Sequence, residues 1–152
     1  MDKGKSIDEV GRTRPVKTWS VSAANERIRE LADLLPELRA WVERLGVVHQ
    51  ELARLAALWG SEIDARDIPD RRHKDRLDQE AKALRERIEE TVEDLHGEGI
   101  EIKDLERGLV DFYGRVNGDL VYLCWKSDEE RVGFYHPLDG GFRGRRPLPR
   151  GG

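Results

Sequence analysis

Apolar residues recur at steps of three and four along the first half of the chain: Ile28, Leu31, Leu35, Leu38, Val42, Leu45, Leu52, Ala56 and Trp59, with His49 standing in the one gap. A period of about 3.5 residues is that of helices packing on helices. Ser20 or Ser22 supplies an N-cap, and Trp19 just before it suits a hydrophobic staple. Pro36 falls inside the run, where a proline either kinks a helix or opens a new one at its first turn. The pattern therefore predicts one helix over about 21–35 and another over about 36–59. Residues 60–69 break the period, and a second run follows at Leu77, Ala81, Leu84, Ile88, Val92 and Leu95. It predicts a helix over about 71–96, stopped by Gly97 and Gly99. The pairs Lys74–Asp78, Asp78–Lys82, Lys82–Glu86 and Arg85–Glu89 line its other faces and read as solvated. The two long helices are expected to form an antiparallel hairpin.

Beyond residue 99 the period drops to two. Ile100, Glu101 and Ile102 alternate as a short edge strand would. Val116-Asn117-Gly118-Asp119 is a strong type I′ hairpin signal, because both central residues of that turn need positive φ. A turn there sets Phe112 opposite Leu123, Val110 opposite Trp125 and Asp111 opposite Cys124. Val110, Phe112, Val121, Leu123 and Trp125 then share an apolar face aimed at the helices. A third strand over about 131–136 is expected to add Val132 and Phe134 to that face, with His136 opposite Val121. The other face carries Leu109, Asp111, Tyr113, Leu120, Tyr122, Cys124 and Tyr135. It is aromatic, with a carboxylate in the middle, and should be covered by the C-terminal segment, a second subunit or a ligand. The fold class expected is α+β: a helical hairpin plus a shorter N-terminal helix on a three-stranded antiparallel meander, with strands over about 108–114, 119–126 and 131–136. Residues 1–17 are polar, broken by Gly4, Gly11 and Pro15, and read as a disordered arm before a single domain over 18–148 and a tail over 149–152.

Composition sharpens this only in places. Charged and hydrophobic residues each make up 38% of the 152, a balance that favours a helix-rich chain with much exposed surface. The formal net charge of −4 gives no argument for nucleic acid. One cysteine cannot make an internal disulfide and fits a reducing cytosol. No apolar run approaches the roughly 18 residues of a membrane span, and the N-terminus lacks the apolar core of a signal peptide, so a cytoplasmic protein is expected.

Four sites offer candidate chemistry. Asp111, His136 and Asp139, with Glu129 or Glu130 in reserve, are candidates for a metal or acid–base centre, since carboxylates and imidazole serve both tasks. Their spacing matches no known metal motif. Against this stands His136 as a strand-end histidine satisfied by backbone, with Asp111 paired to an arginine. Residues 140–146 are candidates for an anion site, where Gly140, Gly141 and Gly144 free backbone N–H groups and Arg143, Arg145 and Arg146 supply guanidinium forks. The alternative is that Arg143 or Arg145 reaches Asp111 and locks the tail. Cys124, mid-strand and without a neighbouring histidine in sequence, reads as an inert buried thiol. Tyr113, Tyr122 and Tyr135 could stack bases, but no RNA-binding signature accompanies them.

The runs Gly108–Phe112, Val121–Lys126, Tyr135-His136 and Asp139-Gly140-Gly141-Phe142 through Arg145, together with Trp19-Ser20, Ala24-Asn25 and Leu34-Leu35-Pro36, resemble the prokaryotic family known as domain of unknown function 2203. The likeness extends over 19–148. The chain departs from the family pattern at Tyr135-His136-Pro137, where Trp-His-Glu is usual, and at Arg146, where Gln is common. The first departure removes a carboxylate beside His136. The resemblance implies a shared fold and a prokaryotic source; it supplies no established activity, and any cofactor is unknown. The leading expectation is a cytosolic binding or interaction protein that uses the Asp111 face and the 140–146 loop. It would recognise a protein partner, a second copy of itself or an anionic ligand. The alternative is a small enzyme centred on Asp111, His136 and Asp139.

Overall fold

The apolar periodicity of the first hundred residues resolves into two long helices, not three. The computed structural model describes residues 5–7, 13–15, 17–65 and 67–149. Helix α1 runs unbroken over Val21–Trp59 with Pro36 inside it. The two-helix expectation fails because Pro36 and Ala32, whose carbonyl the proline deprives of a donor, are both exposed residues, while Leu35 and Leu38 are buried on either side. Ser20 caps the helix: its Oγ accepts from the Ala23 N–H at 3.0 Å. A short 3-10 turn over Gly60–Ala65 leads to helix α2, Pro69–Gly97. Within residues 5–15, strands β1 (Lys5–Ile7) and β2 (Thr13–Pro15) pair antiparallel; the rest of the expected disordered arm lies outside the described residues, apart from Lys17.

The described chain divides into two compact units, with a boundary at Pro36. The unit over Pro36–Thr91 is a helical hairpin cored by Val48, Leu55, Ile63, Leu77 and Ala81. Its antiparallel sense is seen in Arg44 pairing with Glu80 at 2.6 Å and Trp59 Nε1 donating to Asp70 at 2.8 Å. The buried stripe of α1 is not the strict heptad seam expected. Val48 and Leu55 are buried, whereas His49 and Ala56 are exposed and Val42 is 43% exposed. Leu45, Leu52 and Trp59 keep their expected places against that core, so one row of the seam holds while the other lies one position earlier, at Val48 and Leu55. On α2, Val92 is likewise exposed and Thr91 lies inward.

The other unit holds the ends of the helices and a five-stranded antiparallel sheet, β3 (Ile100–Asp104), β4 (Leu109–Val116), β5 (Asp119–Lys126), β6 (Phe134–Pro137) and β7 (Arg146–Pro147), in that spatial order. The three-stranded meander thus gains a strand at each edge. The turn at Asn117 (φ 53) and Gly118 (φ 86) forms as expected, and Phe112 faces Leu123, Val110 faces Trp125 and Asp111 faces Cys124. One face of the sheet packs on Ala24, Ile28, Leu31, Leu35 and Leu95. Trp19 closes it, with its ring edge-on to Phe112 and its Nε1 donating to the Glu98 carbonyl at 2.6 Å. Gly99 (φ 79) permits this junction: a Cβ there would collide with the Lys17 carbonyl oxygen.

The third expected strand is displaced. It begins at Phe134, and Val132 enters the core from outside it, its N–H donating to Asn25 Oδ1 at 2.7 Å. Core contacts therefore come from Val132 and Tyr135, an odd spacing that no strand alternation produces. Tyr122 pairs with His136 and Val121 with Pro137, so His136 and Phe134 move to the Asp111 face while Tyr135 turns to the core. No helix among the described residues is long and apolar enough to cross a membrane.

Burial along the α1 stripe separates two valines. Val48→Ala should lower the unfolding free energy by about 1–3 kcal/mol in urea titrations. Val42→Ala should stay within about 0.5 kcal/mol; equal costs would restore the heptad seam.

Candidate functional site

The face opposite the helices is built by residue parity. Strand partners share a face, so Glu101, Asp111, Cys124 and Phe134 line one row and Tyr113, Tyr122 and His136 the next. At the centre His136 Nε2 lies 2.9 Å from Asp111 Oδ2, and both side chains are 3% exposed. His136 Nδ1 lies 2.9 Å from the Pro137 carbonyl oxygen. A carbonyl only accepts, so Nδ1 carries a proton. The Nε2–Asp111 contact then needs a proton of its own, from either an imidazolium or a protonated carboxyl, because two lone pairs would otherwise face each other. The pair is thus neutral and holds one shared proton. Burial pushes the Asp111 carboxyl upward, opposed by His136 and by a hydrogen bond from Cys124. Pro137 O also accepts from the Gly140 N–H at 3.0 Å, which ties the loop to the histidine.

Cys124 completes a cluster: one donor atom each from Asp111, Cys124 and His136 lie within 4.8 Å of one another, all buried. Burial, then the charge of Asp111, pushes the thiol up to about 12, so it stays protonated, as its reading as an inert thiol requires. These residues open on a cavity of about 170 Å³ walled also by Lys103, Leu109, Tyr122, Leu138, Gly140, Gly141 and Phe142. Lys103 pairs with Glu101 and lies 4.5 Å from the Tyr122 ring centre. The Tyr113 hydroxyl donates to Glu101 Oε1 at 3.0 Å, and that of Tyr122 lies 3.0 Å from Oε2. Burial, first, and Glu101 raise both phenols, Tyr122 to about 12. Burial works to raise the Glu101 carboxyl, but Lys103 and the tyrosines hold it below its ordinary value.

Two sequence expectations are corrected here. Asp139 is exposed and does not line the cavity; the third member of the cluster is Cys124. Nor, among the described residues, does an arginine bond to Asp111, the contact expected of Arg143 or Arg145. Arg145 Nη2 bonds both Glu129 oxygens, at 2.9 and 3.0 Å, with the guanidinium 3.9 Å from the Phe134 ring centre and 4.7 Å from that of Phe142. Glu129 Oε1 also accepts from the Lys126 N–H at 2.8 Å. Of the anion candidates, Arg145 is therefore engaged in holding the loop, while Arg143 and Arg146 are exposed and lie outside the cavity wall. Glu130 is exposed, and Tyr135 faces the core. Glu101 and Lys103 escaped the sequence reading, although the alternation of Ile100 and Ile102 already set Glu101 on the opposite face.

A family profile described as an uncharacterised conserved protein, DUF2203, matches residues 17–148. The chain belongs to the DUF2203 family. Neither curated proteins nor solved structures yield a match. The family match spans the whole of the sheet that carries the cluster in this DUF2203 protein.

A raised thiol sets the sign of one pH effect. The native state keeps a proton that the unfolded thiol releases near 9.0, so this contribution is full below pH 9 and is lost as pH rises toward about 12. In chelator, the stability of wild type relative to Cys124→Ala should fall between pH 9 and 11 in urea melts, and iodoacetamide should label native Cys124 far more slowly than unfolded chain. A flat difference and fast labelling would mean an accessible thiolate.

Proposed function

We propose that this DUF2203 protein binds a small polar ligand in the recess over Asp111 and His136, with the 137–142 loop as one wall. The observation that supports this most is the neutral, proton-sharing pair at the base of a cavity whose walls are both apolar (Leu109, Leu138, Phe142) and polar (Lys103, Cys124, Tyr122). Glu101 balances Lys103, so the recess has little net charge, which favours a compact ligand with a hydrogen-bond acceptor over a polyanion. Self-association through the helix seams loses ground, because Leu38, Val48 and Leu55 are buried within the chain itself. The lone thiol suits the reducing cytosol of a prokaryotic cell. A second reading, proton transfer to the bound molecule, is favoured by the same shared proton, since an acid–base catalyst needs a movable proton within reach of its substrate.

A thermal-shift screen in chelator, against small amides, carboxylates, phosphates and polyanions, tests this. A ligand at 100 times its dissociation constant adds about 2.7 kcal/mol, and each kcal/mol moves the midpoint of a domain this size by about 2–4 °C. At least one small-molecule class should stabilise wild type and lose its effect in Asp111→Asn. A shift from polyanions alone, abolished by Arg143→Ala with Arg146→Ala, would move the site to the exposed arginines. No shift at all would overturn the small-ligand reading.

A further inference from the structure

We propose that Asp111, Cys124 and His136 form a site for one divalent transition-metal ion, zinc being the ion their donors suit best, with a coordination position left toward the recess. This rests on reading the recess as a binding site and adds a resident ion to it. Thiolate, imidazole and carboxylate together are a borderline-soft donor set, which selects zinc and its neighbours over magnesium or calcium. The three donor atoms lie within 4.8 Å of one another. A tetrahedral ion with bonds of about 2.0–2.3 Å needs donor separations of about 3.3–3.8 Å, so small rotations about the side-chain bonds suffice.

The histidine is already oriented for the task. Its Nδ1–H is held by the Pro137 carbonyl, which leaves Nε2 as the atom facing the cluster. Metal-bound histidines are fixed in this manner, with the remote N–H on a carbonyl or carboxylate. Charge also balances. Without metal the cluster holds a thiol proton and the proton shared by Asp111 and His136, and it is neutral. With a divalent ion both protons leave to solvent, the carboxylate and thiolate cancel the ion's charge, and the cluster is neutral again. A buried site tolerates that exchange because neither state strands a net charge. Lys103 stands near but is matched by Glu101. Three protein ligands and a free position facing a cavity are the arrangement of zinc sites that bind or activate a further molecule.

Cobalt(II) titration of the metal-stripped full chain tests the assignment. Cys124 is the chain's one cysteine, so a thiolate-to-cobalt charge-transfer band reports this site and no other. The band should saturate at one equivalent, vanish on adding zinc, and accompany proton release, read in calorimetry as a binding heat that varies with the buffer's ionisation heat. His136→Gln should weaken cobalt binding by about 10-fold or more. Cobalt bound only at surface groups such as His73 and Glu51 would give no such band; saturation without the band, or a band that saturates away from one equivalent, overturns the proposal. The outcome is independent of the small-molecule screen, which runs in chelator: a band with no organic ligand refutes the ligand reading alone, and a ligand shift with no band refutes the metal alone.

Discussion

The register of the β4–β5 hairpin is the constraint on which the rest depends. Asn117 and Gly118, both at positive φ, close a two-residue turn, and from that turn every side chain on either strand is assigned to one face. A slip of one residue would send Phe112, Leu123 and Trp125 to the outer face and bring Asp111 against Leu31 and Leu35. An unpaired carboxylate in that apolar cluster would cost several kcal/mol, far more than any single contact on the sheet returns. Burial of the apolar row and placement of the acidic one are thus a single decision, made by the turn.

Those parts of the site that hang on this turn could be read in advance. Asp111 opposite Cys124 follows from counting outward from Asn117 and Gly118, and so does the aromatic row of Tyr113 and Tyr122. His136 could not be placed the same way. Its strand begins only at Phe134, two residues after Val132 has been inserted in the core and held by Asn25. The parity of the strand is set with Val132 already anchored by that tertiary contact across more than a hundred residues, which no local period records. The exchange of Phe134 for Tyr135 has the same origin.

The helices show the complementary case. Periodicity predicted where they are and one row of the α1 stripe (Leu45, Leu52, Trp59), but put the other row at His49 and Ala56 in place of Val48 and Leu55, because tertiary packing and not the local period selects the inward residues. Pro36 misled for a related reason. Its cost falls on one carbonyl that water can satisfy, whereas ending the helix there would interrupt a stripe that buries Leu31, Leu35 and Leu38. Local propensity lost to tertiary burial.

The arginine-rich loop makes sense once Glu129 is seen as its partner. The Lys126 N–H, the Arg145 guanidinium and the Phe134 and Phe142 rings all converge around that one carboxylate or its partner arginine, so the turn after β5 and the C-terminal segment are clasped together beside the cavity. The clasp uses up the guanidinium that could otherwise have neutralised Asp111. Asp111 is left to His136, and a carboxylate matched by an imidazole differs from one matched by a guanidinium in a single respect that matters for chemistry. A guanidinium never gives up its proton in a protein, whereas an imidazole is a group that can. By pairing Arg145 with Glu129, the fold leaves Asp111 to His136, so the buried carboxylate meets an imidazole in place of a guanidinium.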